Sequence, residues 1–173
     1  MGPAAVPGLI NLDIVIRLAV DEDRDAIWSI LDSAIRPGET YTLPRDMTRE
    51  AALAWWFSPG HEVFVATTQD EILGTWFLRA NQQGGGSHVA NCGYITAPHA
   101  TGRGVARAMC SHSLNRARER GFRAMQFNFV VSTNTRAVSL WESLGFQTIA
   151  RIPEGFRHPT QGFVDALIMY QRL

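Results

Sequence analysis

Long apolar runs are missing from this chain. The longest is the seven residues from Ala51 to Phe57, against roughly 20 needed to cross a bilayer as a helix, so no transmembrane helix is expected and no membrane partner is assigned. Cysteine is scarce as well. Cys92 and Cys110 are the only two, too few for a disulfide framework and without metal-site spacing, which points to buried reduced thiols and to a reducing compartment, the cytoplasm. An excess of either charge is also absent: Lys plus Arg number 16 and Asp plus Glu number 16, which argues against a nucleic-acid or anionic-surface binder. Residues Met1 to Val6 carry no basic segment ahead of an apolar core, and Val6 spoils a myristoylation pattern. A secretory signal is therefore not expected.

What is present suits one folded unit. At 173 residues, 46% hydrophobic and 10% aromatic, the chain has the length of one domain and is too apolar for disorder; residues 1–13 read as a loose leader and 14–173 as one domain. Ile14 to Leu18 is strand-like, and Asp21 stands as an N-cap before a helix with acidic residues in its first turn. Ile27, Ile30, Leu31 and Ile35 share one face of that helix, and Pro37-Gly38 ends it, leaving a loop over Arg36 to Pro44. A second helix is expected over Thr48 to Phe57, with at least one of Trp55 and Trp56 in the core. Glu62 to Thr67 and Ile72 to Ala80 form a hairpin, Gly84 to Gly86 a flexible turn, and His88 to Thr96 a strand. A helix over Gly104 to Glu119 stops at Gly121, Ala124 to Val131 is a strand, and a helix over Thr135 to Leu144 stops at Gly145. Two strands, Phe146 to Ile152 and Phe163 to Arg172, complete an α/β (α+β) sandwich with its sheet covered on both faces.

Chemistry concentrates between Tyr94 and Arg107, where a strand passes through Gly102 and Gly104 into a helix. The first turn of a helix offers unpaired backbone N–H groups and the positive end of its dipole, and glycines let an anion reach them. Arg103 and Arg107 add positive charge. No Gly-Lys-Ser/Thr follows, which excludes a P-loop, and Arg107 stands where a dinucleotide fingerprint needs its third glycine.

Thr101-Gly102-Arg103-Gly104-Val105-Ala106 resembles motif A of the Gcn5-related N-acetyltransferases (GNAT), Arg/Gln-x-x-Gly-x-Gly/Ala, with Thr101 departing from the long polar first residue. Asn134 to Phe146 resembles their motif B, Asn-x-x-Ala-x-x-Leu-Tyr-x-x-x-Gly-Phe, with Trp141 in place of the tyrosine. The resemblance covers residues 14–173. It implies a mixed, mostly antiparallel central sheet of about seven strands, splayed in the middle with helices on both faces, and direct transfer of acetyl from acetyl-CoA, the co-substrate, to an amine.

The same resemblance assigns roles. The backbone of Tyr94, Ile95 and Thr96 would pair with the pantetheine arm as an added strand does, and the amides of Gly102, Arg103, Gly104, Val105, Ala106 and Arg107 would cradle the pyrophosphate. Asn134 would contact the coenzyme, and it also suits the N-cap of the helix that follows. A backbone N–H exposed by a bulge near Thr96 is the expected oxyanion donor. Trp141 cannot protonate the leaving thiolate and is expected to pack, while Tyr94, Tyr170, Ser139 or water remain as acids. Asn91 stands where many members carry a glutamate base, and Asn128 lies on the next strand. With Asn134, these resemble the yeast branch that acetylates L-azetidine-2-carboxylate and related cyclic imino acids, so Asn91 and Asn128 are expected to position a small amino or imino acid while water takes the proton. The acceptor wall falls to Glu39, Thr40 and Tyr41, and to Phe156, Arg157 and His158 in a loop between the last two strands, with Arg157 pairing an acceptor carboxylate. His88, His99 and His112 are scattered, and no metal is assigned. A homodimer, peptide or lysine acceptors, and a non-catalytic acetyl-CoA sensor stay open as alternatives.

Overall fold

Apolar alternation and glycine stops place most elements where the computed structural model has them; it describes residues 13–69 and 71–173. All of the expected leader except Asp13 lies outside the described residues. Strands β1 (Val15–Leu18), β2 (Glu62–Thr67), β3 (Ile72–Ala80) and β4 (Val89–Thr96) are successive antiparallel neighbours. Next to β4 lies β5 (Ala124–Val131), parallel to it; β7 (Gly162–Arg172) runs antiparallel to β5, and β6 (Gln147–His158) closes the edge beside β7. The result is one seven-stranded sheet in the order β1-β2-β3-β4-β5-β7-β6.

Helices α1 (Arg24–Ile35) and α2 (Arg49–Trp56) pack on one face, and α3 (Val105–Glu119) and α4 (Thr135–Ser143) on the other. Side-chain alternation along β3 separates the two layers. Thr75 accepts a 3.0 Å hydrogen bond from the Trp56 indole of α2, and Phe77 meets Trp55 and Trp56 edge-on. On the other face Trp76 stacks on Phe64 and meets His112 of α3. The stripe Ile27, Ile30, Leu31 and Ile35 is buried as its spacing requires, and of the adjacent tryptophans Trp56 is wholly buried.

Three local readings change. Asp21 is not the N-cap: residues Asp21–Asp23 form a 3-10 turn, and the Asp23 carboxylate accepts the Val20 N–H at 2.8 Å and both Arg17 donors at 2.7 and 2.9 Å. Asp23 is drawn inward by that guanidinium, while Asp21 stays at the surface with Arg24. Gly84–Gly86 is likewise a hydrogen-bonded 3-10 turn. Most consequentially, β6 runs on to His158, so Phe156, Arg157 and His158 are not a loop. They pair with Val164, Phe163 and Gly162. The expected strand ends at Ile152, but the hairpin absorbs Pro153, Glu154 and Gly155 as a register shift between Ile152 and Phe156, where Glu154 adopts φ 50° and its N–H is held by Asp165 at 2.9 Å.

The splay is in the sheet's centre. Strands β4 and β5 pair only at Val89↔Ala124 and Ala90↔Met125 and then separate.

Candidate active site

Where β4 parts from β5, its backbone loses a partner on one side, and the ladder with β3 decides which groups are left. Asn81 N–H bonds the Val89 carbonyl and Ala97 N–H the Leu73 carbonyl, both at 2.8 Å, and the register between them is unbroken. Antiparallel alternation therefore gives the N–H and C=O of Asn91, Gly93 and Ile95 to β3 and turns those of Cys92, Tyr94 and Thr96 into the gap. The backbone of Ile95 is thus on the wrong side for the pairing expected of it, whereas Tyr94 and Thr96 are on the right one. No bulge lies in β4 near Thr96; the bulge is across the gap in β5, between Phe127 and Val130. The exposed N–H groups come from the splay itself. One opened acceptor is taken: the Tyr41 hydroxyl donates to the Tyr94 carbonyl at 3.0 Å.

The gap forms a cavity of about 960 Å³ that runs from Gly102 and Gly104 at one end to His61 and Arg79 at the other. Gly102 and Gly104 adopt φ 81° and 84°, a left-handed backbone that leads into the first turn of α3 without side chains over its amides. Val105, Ala106 and Arg107 line this end, Arg103 does not, and Arg107 bonds Ser143 at 2.9 Å. Arg136 also lines it, 3.0 Å from where a Gly102 Cβ would stand. Asn134 lines the cavity while its side chain caps α4 through the Ala137 N–H at 3.4 Å. Trp141 packs against Tyr94 and Phe127 at 5.1 and 5.3 Å. The Tyr94 hydroxyl is tied to Ser113 at 2.6 Å.

The other end is a polar row across three strands. Arg79 Nε donates to Asn91 Oδ1 at 3.0 Å, and Asn91 Nδ2 caps at 2.9 Å the Gln126 carbonyl that the splay sets free. Gln126 in turn donates to Asn128 Oδ1 at 3.0 Å, and Asn128 donates to Asn81 at 2.6 Å. Asn91 and Asn128 both line the cavity but do not bond each other. Extending the β2–β3 register by one residue sets His61 opposite Arg79. His61 Nδ1 lies 2.9 Å from the Trp56 carbonyl; since a carbonyl only accepts, Nδ1 carries the proton and the neutral ring keeps its lone pair on Nε2. The ring stacks on Phe77 at 4.1 Å, and Trp55 stands edge-on to His61, Phe77 and Tyr41. Thr40 and Tyr41 line this wall; Glu39, Tyr170 and Arg157 are outside it, Arg157 lying over Phe163 on the β6–β7 hairpin at 6.0 Å.

Among the described residues lining the cavity there is no aspartate or glutamate. Its cations are Arg79, Arg107 and Arg136, and none of them is in an ion pair. Burial pushes the Cys92 thiol and the Tyr41 and Tyr94 hydroxyls well up, so they stay protonated at neutral pH. Burial, joined by the Arg79 charge, pulls His61 below the ordinary histidine value against the opposing pull of the Trp56 carbonyl. The sequence reading missed His61, Arg79 and Arg136. The first two become neighbours of Asn91 only through cross-strand register.

This arrangement, an opened strand edge leading from an anion cradle to a neutral imidazole, is that of an acetyl-group transferase. The chain matches the Acetyltransferase (GNAT) family over residues 25–146 and belongs to it. It is 29% identical over 151 residues to the N-acetyltransferase aca1 of Schizosaccharomyces pombe, covering 78% of this chain and 72% of that one. A GCN5-related N-acetyltransferase from Kribbella flavida is 41% identical with a TM-score of 0.89, covering 92% of this chain and 98% of its own. The phosphinothricin acetyltransferase of Sinorhizobium meliloti, solved with AcCoA, is 20% identical with a TM-score of 0.80 over 92% of this chain and 88% of its own, and shares the fold.

Proposed function

We propose that this chain transfers acetyl from acetyl-CoA to the amine of a small carboxylate-bearing molecule, an amino acid or cyclic imino acid. The observation that carries the acceptor class is Arg79: a guanidinium held by Asn91 through Nε, with no ion-pair partner and no lining carboxylate among the described residues. Its remaining donors suit a bidentate carboxylate. A lysine-bearing or otherwise basic peptide would meet only arginines there.

The coenzyme fits the other end. The Tyr94 N–H and the Thr96 backbone supply open groups for an amide-bearing arm, the amides of Gly102, Gly104 and Val105 to Arg107 with the Arg107 and Arg136 side chains suit pyrophosphate, and Asn134 faces the same space. Acetyl-CoA supplies an activated thioester; the protein supplies alignment, with Asn91 and Asn128 as polar groups beside the acceptor. A leaving thiol with a pKa of about 8.5 departs readily, so Trp141 in place of an acid does not stop turnover. We place the enzyme in the cytoplasm as a catalytic domain over 14–173, which fractionation tests; whether it is the monomer or the homodimer is read by sedimentation.

The experiment is thiol release from acetyl-CoA across amino acids, cyclic imino acids, polyamines and short peptides, with coenzyme binding measured in parallel. All 16 basic residues are arginines, so the signal carries no acetylation of the chain's own lysines. Release confined to carboxylate-bearing amines supports the reading. Release only with peptides sinks it, and coenzyme binding without release points to a sensor.

A further inference from the structure

We infer that His61 is the proton acceptor of the reaction: its Nε2, at the end of the cross-strand row His61, Arg79, Asn91, takes the proton that an acceptor ammonium must lose before it can attack. The inference goes beyond the acceptor reading and rests on an amine being acetylated, not on which amine. The site's titratable inventory leads to it. A base that works near neutral pH needs an unprotonated, accessible lone pair, and no carboxylate stands among the described residues of the lining. Asn91 and Asn128 have no basic nitrogen. Cys92, Tyr41 and Tyr94 are held protonated by burial. Of the histidines, His61 alone among the described residues lines the cavity.

Its surroundings prepare it for that task. The Trp56 carbonyl at the C-terminal end of α2 fixes the tautomer, stacking on Phe77 fixes the ring plane, and Nε2 has no partner among the described residues. The charged group facing it is Arg79 from β3; α2 presents Trp55 and Trp56, which carry no charge. The neighbouring Glu62 on β2 is engaged by Arg116 and Arg120. Burial, with a cation close by adding to it, keeps the imidazole neutral, and that cation, paired with an acceptor carboxylate, would be offset once substrate is bound, raising the ring's basicity when the ammonium arrives.

The step balances. One N–H bond of the ammonium breaks, its electron pair stays on nitrogen, and the proton bonds to His61 Nε2. The freed pair forms the C–N bond at the acetyl carbonyl carbon as the C=O π pair moves onto oxygen; that pair re-forms the carbonyl as the C–S bond breaks with its own pair leaving on sulfur, and the surplus proton on nitrogen passes to the thiolate. The imidazolium releases its proton to solvent.

The test combines kinetics with a readout that needs no turnover. In the protein labelled with 15N-histidine and free of substrate, His61 should show the Nδ1–H tautomer and titrate below the ordinary histidine value. His61→Gln should lower kcat/KM about 10²- to 10⁴-fold and abolish the acid limb of its pH profile, with acetyl-CoA affinity by calorimetry unchanged. His61→Ala should regain rate with added imidazole, in proportion to the neutral form. A His61→Gln enzyme that keeps activity within about threefold, or keeps the acid limb, overturns the inference, as does an Nε2–H tautomer. Failure of the acceptor reading appears in the wild type, as a preference for peptides; failure of the His61 assignment appears only in these variants, whichever amine is used.

Discussion

Replacing Arg79 with glutamine separates anchoring from architecture. A glutamine amide nitrogen falls where the Arg79 Nε now stands, so the donor that holds Asn91 Oδ1 at 3.0 Å, and with it the Asn91 bridge to the Gln126 carbonyl, is retained while both terminal nitrogens and the charge are lost. A charge-assisted pair to a carboxylate is worth about 1.5–3 kcal/mol, so kcat/KM for an amino or imino acid should fall about 10- to 150-fold. The assay compares each acid with its carboxamide in both enzymes. The carboxamide should react almost equally well in the two, leaving the loss in the difference between substrates. A second effect has a definite sign. Burial is the main cause of the lowered His61 pKa and the Arg79 charge adds to it, so removing that charge should raise the pKa and move the acid limb of the kcat/KM profile to higher pH. Equal losses for acid and carboxamide would refute the anchor, and an unmoved limb would refute the coupling to His61.

Further outcomes follow from single contacts. Gly104→Ala adds a methyl with nothing within 4 Å of it but at φ 84°, a conformation that costs an L-residue about 1–2 kcal/mol; with the added shielding of the α3 amides, acetyl-CoA should bind about tenfold more weakly by calorimetry, and an unchanged Kd would remove the cradle. Thr75→Val strands the buried Trp56 indole N–H that now bonds Thr75 Oγ1 at 3.0 Å. The loss is about 1–3 kcal/mol, read as a melting temperature lower by about 2–12 °C, and an unchanged value would refute it. Asp23 has its pKa lowered by the Arg17 hydrogen bonds, with the Val20 N–H adding to them. A depressed carboxyl contributes stability above its unfolded pKa and loses it as pH falls through the folded one. Denaturant titrations should therefore show wild type weakening below about pH 4 more steeply than Asp23→Asn, and parallel curves would exclude the linkage.

What the sequence made legible is what neighbours along the chain decide. The α1 stripe, the α3 and α4 stops at Gly121 and Gly145, and the β2–β3 hairpin all depend on spacings within one or two elements. The anion cradle belongs to the same class, because a glycine turn and the helix after it are contiguous. The acceptor end is not. His61, Arg79 and Asn91 lie on or beside three different strands, and only the register Glu62↔Leu78 and Arg79↔Asn91 makes them a row; a half-turn slip of either strand would point Arg79 at α3. The β6 extension was hidden for a related reason: Pro153, Glu154 and Gly155 break a strand considered alone, whereas β7 holds one that bulges.

The splay itself has a cause that no single motif displays. Strand β4 keeps an unbroken ladder with β3 through Thr96, so it is β5 that departs, and β5 carries the bulge, between Phe127 and Val130. A bulge bends and twists its strand, and here it coincides with a cluster in which Phe127 contacts Tyr94, Trp141 and Phe146. Large rings fill the space beneath the parting strands on the α3 and α4 side, so the gap is backed by packed aromatic surface. Trp141 contributes more to that surface than a smaller ring would. The residue that departs from the family pattern as an acid is thereby consistent with a site whose proton traffic runs from the opposite side of the sheet, through His61.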